Sequence, residues 1–250
     1  MRRRTILALP AFLAGAWLAG PLRAEPGAKA KAKPSAPAGR RVALELVLAL
    51  DGSASITDGD LEFQLQGHAA AFRDPDVSDA VTMGGMAATL VVFSGPHSLR
   101  VLVPWTALTS AEEVAAFANR IDKAPRGFQG DSTALGNAIE ESVKLFAGNG
   151  FDAPRKVIDI VSNGFSNSGP DPAGARDRAE RRGITINALA ILDEFPWLEE
   201  YYRENVVGGV NCFVKTAMDR GSFVEALRQK LIQEIATAPA PRSVIAAANL

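Results

Sequence analysis

Val42-Ala43-Leu44-Glu45-Leu46-Val47-Leu48-Ala49-Leu50, followed at once by Asp51-Gly52-Ser53-Ala54-Ser55, is the stretch on which the fold turns. From Val42 to Leu50 the residues are almost continuously apolar, as expected of a strand buried on both faces of its sheet. The run stops at a carboxylate, and two hydroxyls follow at a spacing of two. Beyond them, Leu61, Leu65, Ala69 and Phe72 recur at helical spacing. A fully buried strand that turns through polar residues into a helix is the opening of an α/β sheet.

Working outward, strands and helices keep alternating. Met86–Phe93 and Leu99–Val103 flank the turn residues Gly95-Pro96-His97, which predicts a hairpin whose second strand lies at a sheet edge. Ser110 and Glu113 form a capping-box pair ahead of the stripe Val114, Phe117, Ala118 and Ile121. A further helix carries Leu135, Ile139, Val143 and Phe146. Lys156–Val161 and Ile184–Leu192 are two more buried strands, with a polar helix between them starting near Pro170 and Pro172. A short strand near Cys212–Val214 precedes a helix with Phe223, Leu227 and Leu231. The predicted fold class is α/β: a doubly wound, mainly parallel sheet with helices on both faces and one antiparallel edge strand, in one domain over 42–236. Ligands of such sheets bind at the carboxyl ends of the strands.

The two ends differ in kind from this domain. Arg2-Arg3-Arg4, the apolar stretch Ile6–Gly20 and Ala24 follow the order of a cleavable signal peptide over 1–24, and Arg3-Arg4-Thr5-Ile6-Leu7 gives it twin-arginine character. The apolar run is short for a membrane span and is broken by Pro10. A periplasmic or secreted protein is expected, without a membrane span in the mature chain. Residues 25–41, rich in Ala, Pro and Lys, read as a flexible basic tether, and 237–250 as a loose tail. The single cysteine, Cys212, rules out an intrachain disulfide, and its apolar setting suits a small buried hydrophobe. A formal net charge of -1 gives no footprint for nucleic acid or an anionic membrane.

Asp51, Ser53 and Ser55 stand where the first strand gives way to a helix, so one loop can aim three oxygens at one point, the donor type that hard divalent cations take. The plainer alternative is that Ser53, Ser55 or Thr57 caps the next helix. Gly130-Asp131-Ser132-Thr133-Ala134-Leu135-Gly136-Asn137-Ala138-Ile139 puts a threonine at the mouth of a helix, and Val161-Ser162-Asn163-Gly164 puts polar side chains at the end of another buried strand. In a doubly wound sheet these three loops share one rim.

Together, in order and spacing, the Asp-x-Ser-x-Ser loop, the Thr-x-Leu-Gly-x-Ala-Ile helix start and the later strand-end turn resemble the metal-ion-dependent adhesion site (MIDAS) of von Willebrand factor A domains. The resemblance implies that Ser53 and Ser55 ligate a metal directly, that Asp51 acts directly or through water, and that Thr133 joins in the ligand-competent state. It implies Mg2+ or Mn2+ as cofactor, and a partner protein whose acidic side chain completes the coordination sphere. Asn163 stands where the resembled family usually has Asp, leaving Asp51 as the one carboxylate among the matched positions. Fewer carboxylates imply weaker divalent binding. Val103-Pro104-Trp105, the turn 163–169, Gly183-Ile184-Thr185-Ile186-Asn187 and Tyr201-Tyr202-Arg203-Glu204-Asn205 are similar to a group of exported proteobacterial A-domain proteins of unknown function; Trp105 and the tyrosines are expected to pack.

No Gly-x-Ser-x-Gly elbow, zinc-type histidine pair or phosphate-cradling Gly-Lys-Ser/Thr loop occurs. The only histidines are His68, on the first helix, and His97, in the hairpin turn. The expectation is a binding module and not an enzyme. Its rival is an A-domain scaffold whose metal site, with Asn163 for Asp, has degenerated and which binds proteins without metal.

Overall fold

The computed structural model describes residues 39–236, apart from 127 and 129. The expected signal peptide at 1–24, most of the tether and the tail at 237–250 lie outside the described residues.

Eight strands and seven helices are described: β1 (Arg40–Arg41), β2 (Leu44–Asp51), α1 (Asp58–Arg73), α2 (Pro75–Gly84), β3 (Met86–Phe93), β4 (Leu99–Leu108), α3 (Ala111–Asp122), α4 (Leu135–Lys144), β5 (Phe151–Asp152), β6 (Arg155–Ser162), α5 (Pro172–Glu180), β7 (Ile184–Ile191), α6 (Leu198–Asn205), β8 (Val214–Ala217) and α7 (Arg220–Ala236). Six strands form one sheet in the order β4-β3-β2-β6-β7-β8. All neighbours are parallel except β3 and β4. The doubly wound, mainly parallel α/β fold with one antiparallel edge is therefore the fold of this chain.

The unbroken apolarity of β2 follows from its central position. Leu44, Leu46, Leu48 and Leu50 face one core, shared with Leu61 and Leu65 of α1, Val77 of α2, Phe117 of α3 and Leu231 of α7. Val47 and Ala49 face the other, shared with Leu135 and Ile139 of α4, Ala175 of α5 and Tyr202 of α6. Each fully buried Leu or Phe on these faces contributes about 1.5–3 kcal/mol relative to exposure.

Several boundaries differ from the sequence expectation. Arg40 and Arg41, assigned to the tether, pair instead with Phe151 and Asp152 as the two-stranded β1–β5 ribbon. The last strand begins at Val214, so Cys212 sits in the turn before it, only partly buried; Asn211 just ahead adopts a left-handed φ of 57°, which breaks strand geometry. The expected capping box at Ser110 is half formed. Ser110 Oγ accepts from Glu113 N, but the Glu113 carboxylate reaches one residue further back, to Thr109 N at 2.7 Å. Two short helices, α2 and α6, escape a reading by apolar stripe, because α2 has only two buried positions, Val77 and Val81, and α6 only Leu198 and Tyr202.

Candidate metal centre

Asp51 is the last residue of β2 and is fully buried. The register pairs Leu50 with Val161 of β6, so the next step sets Ser162 beside Asp51. Ser162 Oγ donates to Asp51 Oδ2 at 2.6 Å, and Ser53 N donates to Asp51 Oδ1 at 2.8 Å. Burial pushes the Asp51 carboxyl above the usual carboxylate range, while these hydrogen bonds pull it down. Among the described residues Asp51 has no ion-pair partner.

The cap of the following helix comes from another residue. Thr57 caps α1 in a full capping box with Asp60, so Ser53 and Ser55 are left to the loop. Their hydroxyls lie 3.3 Å apart, and Ser55 Oγ donates to Asn163 Oδ1 at 3.1 Å. Ser53 and Asn163 are buried and Ser55 is exposed, so this chain of oxygens runs from the core to the surface.

The third loop is clamped from both sides. Gly130 N donates to Gly52 O at 3.1 Å and Ala134 N to Ser94 O at 2.9 Å. A β-carbon at Gly130 would lie 2.1 Å from Ser94 Cβ and 2.8 Å from Gly52 O, so only glycine permits this approach. On the other side Asn167 N donates to Thr133 O, and Asn167 Oδ1 accepts from Thr133 N, both at 2.9 Å. Thr133 is buried, with its Oγ1 on the side of Gly164: it lies 3.4 Å from where a β-carbon on Gly164 would stand. No described hydrogen bond joins Thr133 Oγ1 to Ser53, Ser55 or Asn163. The structure thus gathers Asp51, Ser53, Ser55 and Asn163 into one bonded group and sets Thr133 beside it, across Gly164.

Ser162, Asn167 and Tyr202 were not among the site residues expected from sequence, yet they fix the geometry. Tyr202 is fully buried and its hydroxyl donates to Gly164 O at 2.8 Å. The density of Ser, Asn and Gly from Ser162 to Gly169, directly after a buried strand, is the signal that marks this turn as built for polar contacts. Beside it lies an aromatic group. Phe165 packs at 5.4 Å from Phe195 and 5.5 Å from Trp197 between ring centroids, and Trp197 at 6.2 Å from Tyr201. Tyr201 Oη accepts from Ser166 N at 3.2 Å, tying the rings to the same turn.

The donors suit a hard cation: one carboxylate, hydroxyls and an amide oxygen, all oxygen. The set is poor in charge, and among the described residues no three His, Cys, Asp or Glu side chains gather to hold a metal.

A six-stranded sheet of this order, with its polar loops gathered at the carboxyl ends of β2 and β6, is the fold of von Willebrand factor A domains. It is shared with proximal thread matrix protein 1 of the mussel byssus, with a TM-score of 0.60 and 19% identity over 80% of this chain and 48% of that one. Another structure of that protein, at a TM-score of 0.54 and 18% identity over 79% of this chain and 46% of that one, has a zinc-occupied MIDAS motif. A von Willebrand factor type A protein from Catenulispora acidiphila aligns with a TM-score of 0.52 and 16% identity over 79% of this chain and 43% of that one. This chain thus spans about half the length of these relatives. No curated protein matches it by sequence. The chain belongs to the family described as "Protein of unknown function (DUF1194)", which matches residues 41–239.

Proposed function

We propose that this chain is an exported binding module in which Asp51, Ser53, Ser55, Thr133 and Asn163 hold Mg2+ or Mn2+, and that the rim they form takes an Asp or Glu side chain from a protein partner in the periplasm or envelope. The observation that carries this reading is Asp51: a fully buried carboxylate without a counter-ion among the described residues, connected through Ser53 to a crest of oxygens that reaches the surface at Ser55. Burying an uncompensated carboxylate costs several kcal/mol, and a cation at the crest offsets that cost. The zinc in the mussel protein's motif supports a divalent site in this fold.

Ser53, Ser55 and Asn163 present neutral oxygens at the rim, while Asp51 orients Ser53 from beneath. When bound, the cation supplies the positive charge that attracts the partner's carboxylate. Binding without catalysis is the reading we favour: the Ser53 and Ser55 hydroxyls meet each other and the Asn163 amide, and the carboxylate beside Ser53, that of Asp51, is already held by Ser162 Oγ and Ser53 N. Among the described residues no helix is long and apolar enough to cross a membrane.

The second reading, a scaffold that binds proteins without metal, draws on Asn163 and on the separation of Thr133 from the bonded group. Pull-downs from envelope extracts distinguish the two. A partner captured in Mg2+ and released by EDTA, and lost with Ser53→Ala, is the expected result. The same partner retained in EDTA and by the combined Ser53, Ser55 and Thr133 to Ala variant would establish the scaffold instead.

A further inference from the structure

Phe165 is 36% exposed and Trp197 49% exposed, so these two rings are not consumed by the core. They sit with Phe195 and Tyr201 in one continuous group, Phe195 and Trp197 being 5.3 Å apart between centroids. Exposed aromatics that keep each other rigid at low entropic cost are a common signature of binding surfaces. Phe165 follows Asn163 by two residues, so their Cα atoms are within about 7 Å. The aromatic surface therefore continues directly from the oxygen crest.

Its flanks in sequence are acidic. Asp193, Glu194, Glu199 and Glu200 stand there against one cation in that stretch, Arg203, which is paired with Glu199; Arg220, which lines a cavity with Asn163 and Asp193, is paired with Asp60. Asp171 also lies close enough to Tyr201 to help burial push its phenol up. A neutral or acidic side chain gains nothing from these carboxylates. A cation gains both their field and the faces of Trp197 and Phe165.

We propose that Phe165, Phe195, Trp197 and Tyr201 form a docking platform for a Lys or Arg side chain of the same partner segment whose carboxylate reaches the Ser53–Ser55–Asn163 crest. The proposal rests on the metal-bridge reading for the carboxylate, but its cationic half stands on the aromatic group alone. At about 3.3 Å of rise per residue in an extended segment, the two partner side chains fall within about four residues of each other.

The test uses the purified chain and an immobilised peptide library with one fixed Asp and randomised neighbours, washed in Mg2+. Retained peptides are expected to be enriched in Arg or Lys within four positions of the Asp. Replacing that Arg by its neutral isostere citrulline should weaken binding about tenfold, the scale of a partly desolvated cation–π contact. Trp197→Ala and Phe165→Ala should erase the difference between the two peptides while leaving the Mg2+ affinity unchanged and the domain folded, with a melting temperature lowered only by the lost ring packing. Equal binding of Arg and citrulline peptides would overturn the platform, as would equal retention of the wild-type chain and Trp197→Ala. An Arg preference that needs Trp197 but survives EDTA and Ser53→Ala would uphold the platform and overturn the metal bridge.

Discussion

Asn163 is the residue at which this chain departs from the pattern it resembles, and its surroundings give the departure a sign. Its Oδ1 accepts from Ser55 Oγ at 3.1 Å, so it faces the crest. Asn163→Asp keeps the shape and adds a formal charge. Divalent affinity should rise by roughly an order of magnitude, the scale on which carboxylate count tunes such sites; calorimetry showing unchanged or weaker binding would mean that position 163 does not serve the cation. A second residue reports on the core. His68 is fully buried in α1 and donates from Nδ1 to Gln64 O at 2.7 Å, leaving Nε2 without a partner. Burial, with the Lys230 charge adding to it, pushes His68 down from 6.5 to about 4. The folded state thus holds neutral His68 where the unfolded chain takes up a proton. Stability is fully present above pH 6.5 and is lost as pH falls toward 4, by up to about 3 kcal/mol from this group. His68→Gln should flatten that part of the acid limb in urea denaturation, and an unchanged slope would show that His68 is charged or hydrated in the fold.

α7 shows what an apolar stripe conveys and what it hides. Phe223, Leu227 and Leu231 mark its buried face in the sequence, and all three are buried in the core. Lys230 and Glu234, an i,i+4 ion pair on the same helix, are fully buried as well. They close a network with Asp159 of β6 and Asn187 of β7, whose Nδ2 donates to Glu234 Oε1 at 2.9 Å. Burial and the neighbouring Glu234 carboxylate raise Asp159 well above its ordinary range. Only the sheet order, which brings β6 and β7 together beneath α7, makes this pairing, and a single sequence does not carry the depth of a charged side chain. Lys230→Met strands carboxylates in the core and should cost about 3–5 kcal/mol. Replacing Asp159, Lys230 and Glu234 together by apolar residues should recover most of that loss, read from urea midpoints; a triple variant no more stable than the single one would show that packing, not charge, dominates there.

At the scale of the molecule, the parallel sheet separates two ends. The described chain enters β2 at its amino end, next to the β1–β5 ribbon, while the oxygen crest lies at the carboxyl ends of β2 and β6. Five of the six sheet strands, the antiparallel edge and the approach of the three loops to one rim were legible, because buried strands with polar termini leave strong one-dimensional patterns; the short edge strand β8 shares only Val214 with the expected one. The supports of the site were not. The Ser162 bond to Asp51, the Asn167 clamp on Thr133 and the Tyr202 bond to Gly164 depend on register and on loop geometry that periodicity does not encode. The distance of Thr133 from the bonded group likewise had no sequence signature. The central claim is that this rim holds a divalent cation, and isothermal titration of Mg2+ and Mn2+ into the purified chain tests it most directly. Saturable one-site binding, lost in Asp51→Asn without any fall in the metal-free melting temperature, is the expected result. No binding heat in the wild-type chain, or equal binding by the wild type and by the combined Ser53, Ser55 and Thr133 to Ala variant, would contradict it.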